Sequence, residues 1–338
     1  MSENFKGHDP ESGLLQRART WRDVLPQLVM LNSLRVAGSP LFVGLWLIVA
    51  TIDFALLSAG QVVLPAQLRE GLLGIASGPA SKVAEALNDW SPLKMGLLLV
   101  AILIALIPMA LTMRAGAIYA AGREGESVTA GVKFVAARFL TLLTVFALPI
   151  VCSVGLLVPI AANALVERVP GVGTALSELV AVVTVPFAIL LGLIAAGTAI
   201  AIPLGWAAVA IEKRNDAFDA LSRGYEYLYR RPVQCFLGIV LNVLLTSLVS
   251  AIAFAVATAS SLGCSLVYRL FSGEQQLPVV MQIALGNLPV AVAFAAWFAN
   301  LGALYLLLRQ FANQQEIEDI AVSEVDRRGQ GLPKFKPK

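Results

Sequence analysis

The stretch LVAVVTVPFAILLGLIAAGTAIAIPLGWAAVAI, residues 179–211, contains no charged side chain, and Glu212-Lys213-Arg214 follows it at once. A helix needs only about 20 apolar residues to cross about 30 Å of hydrocarbon, and a water-soluble fold has no use for an uncharged run of this length. Working outward, further uncharged runs occupy 139–166, 232–268 and 275–308, with a shorter one at 95–113. The chain is 58% hydrophobic and 14% charged, against roughly 45–50% and 25% in soluble domains. The fold class is therefore all-α, an integral membrane helical bundle. Disorder, nucleic-acid binding and a secreted disulfide scaffold are excluded on the same grounds.

Six spans are predicted near 40–62, 94–117, 139–164, 179–203, 234–259 and 286–308. They divide the chain into an N-terminal segment 1–39, a membrane domain 40–308 and a tail 309–338. The run 179–211 would reach about 50 Å as one straight helix. The chain is therefore expected to leave the bilayer at Pro203-Leu204-Gly205-Trp206, with the Trp at headgroup level. Part of 260–268 is expected to be an interfacial loop for the same reason. Twenty of the 25 Lys and Arg residues fall in 1–39, 114–138, 213–231 and 309–338, which six spans place on one side. The other side holds only Arg69, Lys82, Lys94, Arg168 and Arg269. The positive-inside rule then makes both termini cytoplasmic, and the expected location is a cell inner membrane. Residues 1–39 show no short apolar core before a small-residue cleavage site, so the run from Leu41 is expected to act as the insertion signal.

The basic segments read as helices. In 215–231, Phe218, Leu221, Tyr225 and Leu228 follow the spacing of one helical face. Asp219/Arg223 and Glu226/Arg230 form acid-first i,i+4 pairs on the other. Asn215 or Asp216 caps the start, and Pro232 ends the helix. Two placements fit: in the headgroup region with its aromatics buried, or packed against the protein's own spans. Before the third span, Val128, Val132, Val135 and Phe139 form a weaker stripe with Ser127 as cap. Before the first, a basic helix from Ser12 to Leu25 breaks at Pro26, and a second short helix follows to Ala37. The chain thus repeats a loose threefold pattern, an interfacial helix followed by a two-helix hairpin, in parallel topology.

Two stretches carry a resemblance. Gly205-Trp206-Ala207-Ala208-Val209-Ala210-Ile211-Glu212 is followed by Asp216-Ala217-Phe218-Asp219-Ala220-Leu221-Ser222-Arg223, then Tyr225, Tyr227, Arg231 and Pro232. This resembles a motif in uncharacterised bacterial polytopic membrane proteins, where an acid ends one span and a DAFDAxSRxYxYxxxRP helix leads into the next. The segment Arg123 to Arg138, with Ala130, Lys133 and Phe134, is similar to the group's weaker upstream counterpart. Gly224, Leu228 and Val233 fall at variable or less typical positions. More distantly, the pattern resembles the membrane domain attached to some glycerophosphodiesterases, whose catalytic domain has no counterpart here. The resemblance covers roughly a third of the chain. It implies location and fold, and it carries no established activity.

Few residues offer chemistry. Asp53 is the one acid near the middle of a predicted span, where a charge costs roughly 2.5–3.5 kcal/mol. It is expected either to be a proton- or ion-linked site or to be neutral and hydrogen-bonded to a neighbouring helix. Asn242 and Asn300 are its candidate partners, and each also fits the role of interhelical glue. Pro108, Pro149, Pro159 and Pro186 lie inside spans as candidate kinks. Gly197, Ala201 and Gly205 mark a close-packing face. Cys152, Cys235 and Cys264 are scattered and odd in number, which suits isolated buried thiols. The only histidine, His8, precedes the first span, and no Walker, HExxH or GxSxG motif occurs. No enzyme activity, cofactor or metal is expected.

The leading functional expectation is a non-enzymatic structural or accessory component whose basic face contacts anionic lipid, a protein partner or a second copy. The alternative is a small-solute or lipid transporter using the region of Asp53.

Overall fold

Long apolar runs form long helices, because in hydrocarbon each backbone amide must be satisfied within its own segment. The structure, a computed structural model, describes residues 26–59, 91–123, 126–213, 216–272 and 277–313. Among these are nine α-helices and no strand: α1 (Val29–Ser33, entered through the 3-10 turn Pro26–Leu28), α2 (Pro40–Ala59), α3 (Pro92–Ala120), α4 (Val128–Ala136), α5 (Phe139–Glu167), α6 (Gly173–Ile211), α7 (Ala217–Arg230), α8 (Pro232–Ser272) and α9 (Val279–Asn313). Six of them, α2, α3, α5, α6, α8 and α9, are long and apolar enough to cross a membrane. The protein is a multi-pass membrane helical bundle.

The threefold pattern organises the packing. The second helices of the three hairpins, α3, α6 and α9, contact one another; α5 packs on α6, α8 on α9, and α2 on both α3 and α9. Burial concentrates in the last turns of α3, α6 and α9, and that end also holds Arg114, Arg138, Arg223 and Arg309. We call it the basic end. Elsewhere α5, α6 and α8 expose large apolar side chains such as Val158, Leu179, Val182 and Leu262, as a surface solvated by acyl chains does.

Two expected breaks are absent. α6 runs unbroken for 39 residues through Pro186 and Pro203, about 58 Å. Trp206 is buried, and its Nε1 donates to the Leu142 carbonyl at 3.0 Å. The helix continues because protein, from α3, α5, α7 and α9, encloses its last turns. Residues 260–268 are helical, within α8.

The amphipathic helices dock on the protein itself, on a face that keeps Leu221, Tyr225 and Leu228 of α7 and Val135 of α4 but is rotated towards their small residues. In α7 the buried residues are Ala220, Leu221, Gly224 and Tyr227, whereas Phe218 is 71% exposed. A Cβ on Gly224 would lie 2.5 Å from the Ala201 carbonyl oxygen, and one on Gly197 would lie 2.5 Å from the Tyr225 ring. On the Gly197–Ala201–Gly205 face of α6, Gly197 thus receives the Tyr225 ring while Ala201 and Gly205 receive Gly224 and Ala220, because closest approach outweighs the bulk of one phenyl ring. α4 behaves alike: Gly131 and Val135 are buried, while Val128 and Val132 are exposed. Ser127 precedes α4 without a side-chain cap bond. Asp216 does cap α7, accepting from the Asp219 N–H at 2.7 Å. Both acid-first pairs form, Asp219–Arg223 at 2.9 Å and Glu226–Arg230 at 2.8 Å. The helix expected from Ser12 to Leu25 and the tail beyond Asn313 lie outside the described residues.

α3 and α9 cross on glycines. A Cβ at Gly302 would stand 2.0 Å from the Met113 carbonyl oxygen, and one at Gly116 would stand 2.2 Å from that of Ala299. Gly302→Ala is expected to cost at least about 2 kcal/mol by forcing the helices apart. Gly192→Ala, with open space around it, is expected to be neutral. Thermal unfolding in detergent compares the two.

Candidate functional site: the charged cluster at the basic end

A helix leaves its last four carbonyls without intrahelical partners, and α6 ends inside the protein. The Ala208 carbonyl accepts from the Glu212 N–H at 2.9 Å. Arg138 Nη1 donates to the Val209 carbonyl at 2.7 Å and also to that of Glu212, and its Nη2 donates to that of Lys213. Arg114 Nη1 donates to the Ala210 carbonyl at 3.0 Å. Two cations thus close the negative end of the α6 dipole.

Arg114 is 1% exposed and needs a counter-charge. Glu126 supplies it, accepting from Nε at 2.6 Å and Nη2 at 3.1 Å. The guanidinium carbons of Arg114 and Arg138 each lie 3.8 Å from the centre of the Phe134 ring. Two like charges do not share one face at that distance, so the ring lies between them and both gain a cation–π contact. Burial pulls Arg138 below the usual arginine range, Arg114 adds repulsion, and Glu212 partly opposes both.

The Glu212 side chain anchors the second half of the cluster. It accepts from Arg223 Nη1 at 2.6 and 2.7 Å and from the Tyr305 hydroxyl of α9. Arg223 also pairs with Asp219. Burial works against the charge of Arg223, but Glu212 and then Tyr305 outweigh it and hold the guanidinium above its ordinary range. Tyr227 is hydrogen-bonded to Tyr305, and burial raises its hydroxyl. Along α7, Tyr225 and Tyr229 stack and donate to the Ile194 and Leu193 carbonyls at 3.1 and 2.7 Å. Burial raises the Tyr225 hydroxyl as well.

The motif residues therefore separate by role. Glu212, Asp219, Arg223, Tyr225 and Tyr227 clamp α7 to α6 and α9, and Asp216 caps α7. Ser222 is exposed and donates to the Asp219 carbonyl at 2.9 Å. Phe218 and Arg231 face outward, and Pro232 opens α8. The sequence pattern marks neither Glu126 nor Tyr305 as a site residue, and it shows Arg114 and Arg138 as orientation charges. Arg114 carried a signal, since a charge inside the predicted span 94–117 needs a partner.

Asp53, Asn242 and Asn300 do not come together. Asn300 Oδ1 accepts from Ser33 at 2.6 Å. Asn242 donates to the Trp297 carbonyl at 3.3 Å and accepts from Thr246 at 3.2 Å. The level of Asp53 is set by Thr51, which accepts from Asn287 at 3.3 Å. Asn300 is 13 residues further along α9, about 20 Å away. The Asp53 Oδ1 atom is buried without a hydrogen-bond partner among the described residues. A cavity of about 480 Å³ lies between α8 and α9. Its Thr258, Ser261 and Ser265 hydroxyls each donate to a carbonyl of their own helix. Among the described residues no cluster of His, Cys, Asp and Glu is fit to hold a metal.

No known protein family, no curated protein and no solved structure matches the chain.

The side chains of Arg223 and Glu212 are 25% and 11% exposed, and that of Asp219 is 45% exposed. Glu212→Gln leaves a largely buried guanidinium and the Tyr305 hydroxyl poorly matched, and is expected to destabilise by about 3 kcal/mol. Asp219→Asn is expected to cost less than about 1 kcal/mol. Unfolding midpoints of the two variants in one detergent check the ranking.

Proposed function

We propose that this protein is a non-enzymatic structural or accessory component of the cell inner membrane, with both termini cytoplasmic, whose basic end contacts anionic lipid or a protein partner. One observation carries the reading: the cations of the basic end fall into two sets. Arg114, Arg138 and Arg223 bond to acids and to carbonyls of the protein. Lys133, Lys213, Arg230 and Arg231 are exposed, and exposed Val128, Val132 and Phe218 accompany them on the same short helices. Basic side chains and apolar groups facing outward at the mouth of a bundle suit an anionic headgroup layer. The acids Glu126, Glu212 and Asp219 are all held in ion pairs, an arrangement that favours a clamp over proton-transfer chemistry. The resemblance of 205–232 to bacterial polytopic membrane proteins supports the same location.

Native mass spectrometry after purification in mild detergent tests this reading. Retained anionic phospholipid, or a stoichiometric protein partner, is the expected result. A bare monomer with neither overturns it.

A second reading, a permease, is favoured by the unpartnered Asp53 Oδ1 inside α2, since an acid in a span marks an ion or substrate path by default. On that reading Asp53→Asn abolishes solute or proton flux in proteoliposomes while the fold is retained. Flux equal to that of the unaltered protein removes Asp53 from the mechanism.

A further inference from the structure

The α4–α5 and α7–α8 junctions are built alike. Each short helix is followed by an arginine directly before the first residue of a long one: Arg138 before Phe139, and Arg231 before Pro232. The two arginines have different fates. Arg138 closes the end of α6 and lies against Phe134. Arg231 is exposed, and no hydrogen bond or ion pair engages its guanidinium among the described residues. Its neighbour Arg230 is paired with Glu226 at 2.8 Å, so the junction presents one uncompensated positive charge.

The helix that Arg231 introduces carries an apolar stripe beginning two residues later. Val233, Phe236, Val240, Leu244 and Leu248 recur every three or four residues on one face of α8, and all are exposed, Val233 at 68% and Phe236 at 66%. From Val233 to Leu248 the stripe is about 22 Å long, more than one leaflet's share of a hydrocarbon core about 30 Å thick. An unpaired guanidinium at the head of a helix that carries an apolar stripe of leaflet depth matches one molecule with a phosphate at one end and acyl chains at the other.

We propose that Arg231 and this face of α8 form a site for one anionic phospholipid, its headgroup phosphate on the guanidinium and an acyl chain along the stripe. The guanidinium fork suits two phosphate oxygens. A soluble phosphate ester gains nothing from the stripe, and a zwitterionic headgroup brings its own cation towards Arg230 and Arg231. The site rests on the reading that the basic end meets a lipid surface, and it names the residue and the lipid class.

The full-length protein in mild detergent is titrated with phosphatidylglycerol and, separately, with phosphatidylethanolamine, and binding is read by native mass spectrometry. Arg231→Gln is expected to weaken the first phosphatidylglycerol about fivefold. Arg231→Lys retains most of that affinity, Arg269→Gln at the far end of α8 leaves it unchanged, and phosphatidylethanolamine binding responds to none of the three. Phe236→Ser weakens phosphatidylglycerol with Arg231 intact, and glycerol phosphate does not compete. An unchanged first affinity in Arg231→Gln overturns the site while bulk retention of anionic lipid, and with it the broader reading, stands. Competition by glycerol phosphate at equal concentration overturns the lipid assignment in favour of a soluble anion. No preference of the unaltered protein for phosphatidylglycerol overturns the site and the lipid arm of the broader reading, which then stands only on a protein partner.

Discussion

The buried C-terminus of α6 is the constraint on which the basic end depends. Helix ends ordinarily reach water, which satisfies their last carbonyls. Here the final turns of α6 are enclosed, with Val209, Ala210 and Ile211 almost fully buried, so the chain itself must supply donors. Arg138 and Arg114 do so, and each imposes a further requirement. Arg114 is fully desolvated and therefore needs Glu126. Arg138 must sit within reach of Val209, and that reach places the α4–α5 junction. Phe134 lies between the two cations and locks α4 in register. Glu212, the first residue past α6, holds α7 through Arg223 and α9 through Tyr305. One buried helix end thereby fixes the positions of four other helices.

That constraint explains why a membrane protein of this kind has two unlike ends. Between membrane helices there is no hydrophobic driving force, so cohesion comes from close packing and polar contacts. Both are concentrated at the basic end: the glycine crossing of α3 and α9, the Gly224–Ala201 seat of α7, and the paired charges. Away from it α5, α6 and α8 show acyl chains the same apolar side chains that they show one another, and exposed Val and Leu there cost nothing.

The spans were legible because long uncharged runs have one physical explanation, and the threefold order of helices followed from charges recurring between them. The depth of the helix ends was less legible. Pro203-Leu204-Gly205-Trp206 reads as an exit only if lipid or water surrounds it, and that depends on tertiary contacts that no local pattern carries. Of the predicted face of α7, Leu221 is buried and Tyr225 and Leu228 pack on the core, and only Phe218 turns away. Hydrophobic periodicity weighs Phe218 heavily and Gly224 not at all, yet the glycine permits the closest approach and so chooses the face. Arg114 and Arg138 were visible as orientation charges, but their bonding to carbonyls some 70 to 96 positions away in the chain was not. Nothing local marked Tyr305, a tyrosine in an apolar run whose partner lies 93 positions earlier.

The rotation of α4 and α7 has a consequence for the surface. An amphipathic helix that used its aromatic stripe to bind the bundle would turn a charged face outward and meet lipid only through headgroups. Docking instead on Gly131 in α4 and on Gly224 in α7 reverses this. The charges that could pair turn towards α6, as Arg138 and Arg223 do, while Val128, Val132 and Phe218 turn out. The helix then has apolar contacts on two sides, protein on one and membrane on the other, with exposed Lys and Arg along the edges between them. Burial of the small-residue face and exposure of Phe218 are thus a single choice of helix rotation. The glycine that seats α7 on α6 is also what leaves Phe218 outward-facing.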